Sequence, residues 1–233
     1  MERVLLKLSG QALSTNGIGL DNEKVHNVAL EIKKLYEANV TIGIVCGGGN
    51  FWRGRDAFDN HMDRSVADNI GMLGTVMNAL ALSDGLNQLG LKSVVLSSLS
   101  MPQVAMTYSK QTCDEYLEKN YIVIFAGGTG NPYFSTDTCA ALRALQMGAK
   151  KILMAKNGVD GVYNADPSKD KNAKRYETLT YDEMINKNLK VVDLASALLC
   201  KENNLTTIVF DMNVKGNIVK VLNNPNIGTI VKN

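Results

Sequence analysis

The chain alternates short runs of apolar residues with longer segments in which apolar positions recur at three- and four-residue steps. The short runs are rich in Val, Ile and Leu, which favours buried strands. They predict strands at residues 4–8, 40–46, 93–97, 121–126, 150–155, 206–210 and 229–231. The amphipathic segments predict helices at residues 22–37, 64–89, 112–120, 191–202 and 216–222, and a further helix that begins near residue 137.

Strands that alternate with helices in this way predict the α/β class, as a three-layer αβα sandwich with a mostly parallel central sheet. No change of composition marks a linker, so residues 1–233 are expected to form a single domain with two lobes. In such a sheet, ligands collect at the carboxyl ends of the strands. The strand ends are therefore the places to look for chemistry.

The segment 64–89 is apolar on more than one side. One face carries Val66, Ile70, Leu73, Met77 and Leu80, and Met72, Val76, Leu82 and Leu86 add apolar surface around the rest. This pattern predicts a helix that packs against a second subunit as well as its own sheet. A deep helix within one chain remains an equal alternative.

Composition and charge exclude several classes of function. Of 233 residues, 45% are hydrophobic and 21% are charged, and the net charge of +2 comes without the basic block of a nucleic-acid-binding protein. No apolar run approaches the ~18 residues of a membrane span, and no signal peptide precedes the first strand. The 4 cysteines and 2 histidines are scattered, which argues against a zinc site or disulfides. We expect a soluble, cytoplasmic protein that binds neither nucleic acid nor membrane.

The segment 125–137, Phe-Ala-Gly-Gly-Thr-Gly-Asn-Pro-Tyr-Phe-Ser-Thr-Asp, joins a predicted strand to a predicted helix. Its glycines allow close approach of the backbone, and Ser135, Thr136 or Asp137 can cap the helix. Backbone amides at a helix N-terminus bind anions, usually phosphate. Asp137 would repel a phosphate unless it caps the helix, pairs with a cation or meets a metal. Taken alone, the segment is equally consistent with a glycine-rich turn and an ordinary cap.

Three other predicted strand ends carry similar chemistry. Lys7 ends the first strand, three glycines at 47–49 follow the second with Arg53 behind them, and a loop rich in Gly and Asn spans 156–167 with a strand-like stretch at 159–163. Glycine backbone with Lys or Arg is a phosphate-binding composition. Each segment has a structural alternative. Lys7 could lie at a solvent-exposed strand end, the arginine behind the glycines could be solvated, and the loop 156–167 could be a plain hairpin. Because parallel strands share one edge, these groups are expected to converge, and two glycine loops suggest two phosphorylated ligands.

The usual nucleotide-binding signatures, G-x-x-x-x-G-K-[ST] and G-x-G-x-x-G, are missing. Instead, the order of Lys-Leu-Ser-Gly at 7–10, Gly-Gly-Gly-Asn at 47–50, the segment 129–137 and Asp-Gly-Val-Tyr-Asn-Ala-Asp-Pro at 160–167 resembles the amino acid kinase family. The resemblance covers essentially the whole chain. The segment 129–137 is similar to the branch of that family whose acceptor is UMP, because relatives acting on amino acids or carbamate lack it.

The resemblance implies transfer of the γ-phosphoryl group of ATP, with Mg²⁺, to UMP, and it implies which residues take part. For the ATP phosphates it implies Lys7, Leu8, Ser9, Gly10, Gly49 and Arg53. For adenosine it implies Asn157, Tyr163 and Asp166. For UMP it implies Gly48, Asp68, Thr129, Gly130, Asn131, Pro132, Tyr133, Phe134, Ser135 and Thr136. The catalytic set would be Lys7, Arg53, Asp137 and Asp193, with Asp193 orienting Lys7, and no protein residue is assigned to the metal.

The resemblance further implies a homo-oligomer, a hexamer built from dimers, and inhibition by UTP. Relatives that respond to GTP carry an acidic residue in the first loop and an Arg-Asp pair in the long helix, where this chain has Gln11 and Ser83-Asp84. Activation by GTP is therefore left open. Two alternatives to UMP phosphorylation also remain: another small-molecule kinase of the same fold, acting on an amino-acid carboxylate or isopentenyl phosphate, and a nucleotide sensor without turnover.

Overall fold

The structure is a computed structural model that describes residues 1–52, 61–167, 169–189 and 191–233. The strands in the described residues are β1 (Arg3–Leu8), β2 (Thr41–Cys46), β3 (Ser93–Ser97), β4 (Met106–Thr107), β5 (Ile122–Ala126), β6 (Lys151–Lys156), β7 (Thr178–Thr180), β8 (Thr206–Asp211) and β9 (Thr229–Lys232). The α-helices are α1 (Asn22–Glu37), α2 (Arg64–Gln88), α3 (Lys110–Glu118), α4 (Thr136–Gln146), α5 (Tyr181–Asn186), α6 (Leu194–Glu202) and α7 (Asn217–Asn223). Two 3₁₀ helices span Gly10–Leu13 and Pro225–Ile227.

These strands form one sheet in the order β4-β3-β5-β2-β1-β6-β8-β9-β7. Every neighbouring pair is parallel except β8 and β9, which are antiparallel. The predicted α/β class with a mostly parallel sheet is confirmed. Lys7 lies opposite Val45 of β2 and Met154 of β6, so the carboxyl ends of these three strands coincide.

Each face of the sheet is covered by a layer of helices. Alternate residues of β1 point to opposite faces, so Leu6 joins one core cluster and Leu5 the other. Helices α1, α2 and α7 cover the first face, and α3, α4, α5 and α6 cover the second. This arrangement is the predicted three-layer sandwich.

Several elements differ from the sequence prediction. The short strands β4 and β7 and the six-residue helix α5 were not expected, because segments of two to six residues carry too little periodicity to be read. The prediction of a strand-like stretch at 159–163 is wrong. These residues form a loop, with only an isolated bridge from Tyr163 to Arg175. Helix α6 begins at Leu194 rather than near 191, because Asp193 caps it.

Helix α2 is buried on one side only. Val76, Leu82 and Leu86 are buried against the sheet and α1, and Met72 is buried beside Gly128. The other apolar face is open: Val66 is 49% exposed, Leu73 48% and Met77 43%. The alternative of a helix buried all round within one chain is therefore wrong. We call the row Val66, Ile70, Leu73, Met77 and Leu80, in which Ile70 and Leu80 are partly buried, the α2 stripe.

None of the helices in the described ranges combines the length and the apolar character that crossing a membrane requires.

Candidate functional site

The carboxyl ends of β5, β2, β1 and β6 lie side by side, and the conspicuous loops of the sequence follow these strands. At their centre, Lys7 Nζ lies 2.7 Å from Oδ1 of Asp137. Lys7 comes from the end of β1, and Asp137 from the first turn of α4. Their side chains are only 11% and 18% exposed. Of the three ways in which Asp137 could be accommodated beside a phosphate, the structure shows pairing with a cation.

The first turns of α4 and α6 are tied together at Asp193. Ser135 caps α4 by accepting from the amides of Asp137 and Thr138, and its hydroxyl donates to Asp193. Asp193 Oδ1 accepts from Thr138 Oγ1 at 2.9 Å and from the amide of Ser196 at 2.9 Å. Two helix N-termini, with their partial positive charge, therefore meet beside the Lys7–Asp137 pair.

The expected contact between Asp193 and Lys7 is not seen among the described hydrogen bonds and ion pairs. Lys7 pairs with Asp137, which lies one turn into the helix that Ser135 begins. Asp193 contacts Ser135 and Thr138, at the start of the same helix. Among the described ion pairs, the carboxylate paired with Lys7 is that of Asp137.

Lys156 is a further cation at this edge that sequence analysis did not single out. It ends β6 as Lys7 ends β1, and its Nζ donates to the carbonyl of Val191 at 2.8 Å. Burial lowers the pKa of Lys156, and the positive charge of Lys7 lowers it further. The signal that could have found it is the repeated placement of a lysine at the end of a buried strand.

The glycine loop after β2 is fixed by close approach of backbones. A Cβ on Gly10 would lie 2.3 Å from the carbonyl oxygen of Gly47 and from Oδ1 of Asn50, so no other residue fits there. The buried Asn78 of α2 donates to the Gly47 carbonyl at 2.7 Å and pairs with the side chain of Asn50. These contacts hold the loops after β1 and β2 against each other.

Helix α2 also supports both glycine loops directly. A Cβ on Gly48 would lie 2.5 Å from the carbonyl oxygen of Gly71, so the loop touches the helix backbone. Thr75 Oγ1 accepts a hydrogen bond of 2.9 Å from the amide of Gly127. Gly127 and Gly128 have φ of 72° and 56°, which favours glycine. Thr75 was not predicted, because its role depends on a contact with a residue 52 positions away.

Asp68 of α2 binds the segment that follows Gly127. Its Oδ2 accepts from the amide of Tyr133 at 2.8 Å and from Nε of Arg64 at 2.8 Å. The guanidinium of Arg64 lies 5.5 Å from the centroid of the Tyr133 ring. Asp68 lies beyond the first turn of α2, whose N-cap is Asp63.

A cavity of about 820 Å³ opens between these loops and α2, and we call it the α2 cavity. It is lined by many of the residues predicted for the two ligands: Ser9, Gly48, Gly49, Asp68, Asn131, Tyr133, Phe134, Ser135, Thr136 and Asp193. It is also lined by residues that were not predicted, among them Trp52, Arg64, Met72, Thr75 and Thr138. Lys7, Leu8, Gly10, Thr129, Gly130 and Pro132 are not among its lining residues.

Cys46 also lines the α2 cavity, and it raises the question of a thiolate nucleophile. Complete burial raises the pKa of the Cys46 thiol to about 12, although Lys7 acts in the opposite direction. The side chain is therefore a neutral thiol near pH 7 and does not act as a nucleophile.

A second cavity, of about 590 Å³, lies along the loop after β6, and we call it the loop cavity. Tyr163, Asp166 and Lys156 line it with the apolar Val162 and Leu189. The predicted Asn157 is not among its lining residues; its side chain accepts from Asn213 at 2.6 Å. The Tyr163 hydroxyl donates to Asp160, which raises the pKa of Tyr163.

A third cavity of about 530 Å³ joins the other two. It shares Asp193 with the α2 cavity, and Leu189 and Val191 with the loop cavity, and Asp137 lies on its wall. Asp137 of the Lys7–Asp137 pair thus lies on the wall of the cavity that connects the two larger ones, and we call this place the junction. Such an arrangement can hold two ligands with their charged ends facing each other.

Arg53, predicted for the ATP phosphates, lies outside the described residues. Within the described parts of the chain, no group of three or more His, Cys, Asp and Glu residues is arranged to hold a metal ion. The carboxylates nearest the junction of the cavities are Asp137 and Asp193.

Residues 2–211 match the model of the Amino acid kinase family. The chain belongs to the amino acid kinase family. A curated relative, the uridylate kinase of Pediococcus pentosaceus, is 50% identical over 232 residues, which cover 99% of this chain and 96% of the relative. The amino acid kinase fold is also shared by two solved structures of high similarity. The UMP kinase from Ureaplasma parvum has a TM-score of 0.95 at 41% identity, with 100% of this chain and 99% of that chain covered. The UMP kinase from Bacillus anthracis has a TM-score of 0.96 at 37% identity, with 99% and 96% covered.

Proposed function

We propose that this chain is a UMP kinase, which transfers the γ-phosphoryl group of ATP to UMP and releases ADP and UDP, a step of pyrimidine nucleotide synthesis. The observation that carries this proposal is the Lys7–Asp137 pair at the junction of two adjoining cavities. The similarity to uridylate and UMP kinases over nearly the whole chain identifies the acceptor.

The two substrates are assigned to different cavities. UMP occupies the α2 cavity, which is lined by Gly48, by Asp68 and, within the segment 129–136, by Asn131 and residues 133–136. The adenosine of ATP occupies the loop cavity, between Tyr163 and Asp166 on one side and apolar residues on the other. This assignment makes the sheet's two ends an acceptor-binding and a nucleotide-binding lobe of one domain.

The reaction requires neutralisation of charge more than it requires a base. The nucleophile is a phosphate oxygen of UMP, which is already ionised near neutral pH, so no side chain has to remove a proton. Two polyanions must approach each other in line while negative charge spreads over the transferred group. Lys7 and Lys156 supply positive charge at the junction, as do the N-termini of α4 and α6, and Arg53 is proposed to join them.

Phosphoryl transfer of this kind uses ATP with a divalent metal ion, and we propose Mg²⁺. The carboxylates of Asp137 and Asp193 fit such an ion, because Mg²⁺ prefers oxygen ligands and binds through one or two carboxylates plus substrate phosphates. When bound, the ion neutralises charge on the phosphates. Asp137 has a second function without it, since its pairing with Lys7 fixes the lysine ammonium toward the junction.

We further propose that the active form is a homo-oligomer. The α2 stripe repeats apolar residues at alternating steps of four and three, which is the spacing of helices that pack side by side. A second copy packed on the stripe would cover Val66, Leu73 and Met77, which are exposed in the single chain. The hexamer and the inhibition by UTP stay predictions, open to ultracentrifugation and to rates measured with added UTP.

The proposed activity is tested by initial rates with MgATP and a panel of acceptors: UMP, CMP, dUMP, acetylglutamate and isopentenyl phosphate. We expect UDP to form from UMP at the highest kcat/KM. Chelation of the divalent metal should stop turnover. A wild-type chain that prefers an amino-acid carboxylate or isopentenyl phosphate would reassign it to another kinase of the family, and a chain that makes no UDP at any ATP concentration would be a sensor.

A further inference from the structure

A buried arginine lies behind the glycine loop of the α2 cavity. Arg143 of α4 is 3% exposed, and none of the ion pairs between described residues includes it. Its guanidinium carbon lies 3.8 Å from the centroid of the Tyr108 ring, and Nη1 donates to Gln146 Oε1 at 2.5 Å. Burial of a cation without a carboxylate is unfavourable, and an apolar side chain would avoid that cost. The charge must therefore serve a contact that an apolar residue could not make.

One such contact connects Arg143 to the glycine loop through Ser98. Arg143 Nη2 donates to Ser98 Oγ at 2.6 Å, and Ser98 Oγ lies 2.8 Å from the carbonyl oxygen of Gly128. A guanidinium can only donate hydrogen bonds, whereas a serine hydroxyl has one hydrogen to give. The arginine thus occupies an acceptor position of Ser98 and directs its hydrogen to Gly128.

Fixing the Gly128 carbonyl also fixes the next amide. Because the C=O and N–H of a trans peptide point in opposite directions, the N–H of Thr129 is turned away from Ser98. No hydrogen bond within the described residues uses this N–H. Thr129 itself does not line the α2 cavity, but Gly128, the other residue of this peptide, does. Gly130 packs closely against Ser98, since a Cβ on Gly130 would lie 3.2 Å from Cβ of Ser98.

We propose that Arg143 is a positioning residue for the acceptor: through Ser98 it fixes the Gly128 carbonyl and aims the amide of Thr129 at bound UMP. The role rests on the proposed function of the α2 cavity. Because the contacts of Arg143 and Ser98 within the described residues reach the acceptor loop and no residue assigned to ATP, their loss should weaken UMP binding and leave ATP binding unchanged.

The test compares Ser98→Ala with Ser98→Thr, which keeps the hydroxyl, and with Ser93→Ala. Ser93 is a matched control, because it is a serine of β3, the strand that Ser98 follows, and its hydroxyl bonds to Ser83, far from the loop. We expect Ser98→Ala to raise KM for UMP roughly fivefold, as for the loss of one hydrogen bond, with KM for ATP changed less than twofold. Ser98→Thr and Ser93→Ala should stay within about twofold of wild type. Calorimetric titration with UMP should show the same weakening in Kd.

The link itself is tested by Arg143→Lys, alone and in the Ser98→Ala background. We expect Arg143→Lys to raise KM for UMP when Ser98 is present and to add nothing once Ser98 is Ala. An equal rise in both Michaelis constants, no change with Ser98→Ala, or an Arg143→Lys effect that persists undiminished without Ser98 would overturn the proposal. A wild-type chain that does not phosphorylate UMP would instead refute the proposed function, and this role with it.

Discussion

At the scale of one residue, the ammonium of Lys7 is held in position by its surroundings. A lysine between two buried leucines at the end of β1 has a partly buried ammonium, and a charge in such surroundings interacts more strongly than one in water. Asp137 compensates that charge at 2.7 Å. The pair therefore keeps the ammonium at the junction of the cavities, where the transferred phosphoryl group is proposed to pass.

We expect Lys7→Met to lower kcat by ~30- to 1000-fold, corresponding to about 2–4 kcal/mol of lost transition-state stabilisation. Asp137 would also be left without its partner, so the melting temperature should fall. The measurements are steady-state rates and thermal unfolding, with the exposed Lys24→Met as the control for loss of a lysine. A kcat within threefold of wild type would show that Lys7 does not meet the reacting phosphates.

At the scale of elements, helix caps determine where the functional side chains begin. Asp193 and Ser135 start α6 and α4, and the bond between their side chains sets the two helices at one place. The short helix α5 depends on its cap even more, since six residues are too few to be stable alone. Thr180 and Glu183 form a reciprocal capping box at its start.

The capping box gives a prediction about pH. The Thr180 backbone N–H bond to Glu183 lowers the pKa of Glu183 in the folded chain. A lowered folded pKa contributes stability above the unfolded pKa, and that stability is lost as the pH falls through the folded value. Glu183→Gln should therefore lower the melting temperature at pH 7, with a difference that shrinks below the ordinary glutamate pKa of about 4.3.

The matched control for that comparison is Glu177→Gln, which changes an exposed carboxylate shortly before the capping box. Its melting temperature should equal that of the wild type at pH 7 and at pH 3. A difference for Glu183→Gln that is the same at pH 7 and pH 3 would show that the carboxylate's charge is not what stabilises the cap.

At the scale of the whole molecule, α2 connects the proposed subunit interface to the acceptor loops. Its exposed stripe faces away from the sheet, while Asp68, Thr75 and Asn78 on the same helix contact Tyr133, Gly127 and Gly47. A partner on the stripe would hold this helix in place. Association and acceptor binding are therefore expected to depend on each other.

We expect Leu73→Glu combined with Met77→Glu to dissociate the oligomer, because two charges would be buried between identical helices. Sedimentation velocity measures the mass, and KM for UMP should rise in the same variant. Leu30→Glu, at an exposed leucine of α1, is the matched control and should leave both unchanged. If the double variant keeps the wild-type mass, the subunits do not meet through the stripe.

The sequence determined much of this protein, because local patterns carry its information. The periodicity of apolar residues predicts the main strands and helices. Lysine and glycines at the strand ends identify Lys7 and the glycine loops as candidate site residues. These signals lie within a few residues of each other. The resemblance to the amino acid kinase family rests on the same local motifs and was confirmed by comparison with its members.

Only the tertiary structure decided which of these residues meet. Asp137 rather than Asp193 pairs with Lys7, Thr75 holds Gly127, and Arg143 reaches Gly128 through Ser98. Partners such as Ser98 and Arg143 are 45 positions apart, and no spacing along the chain encodes their distance in space. Their contacts exist because the sheet order and the helix caps bring separate segments to one edge, which is a property of the packed molecule.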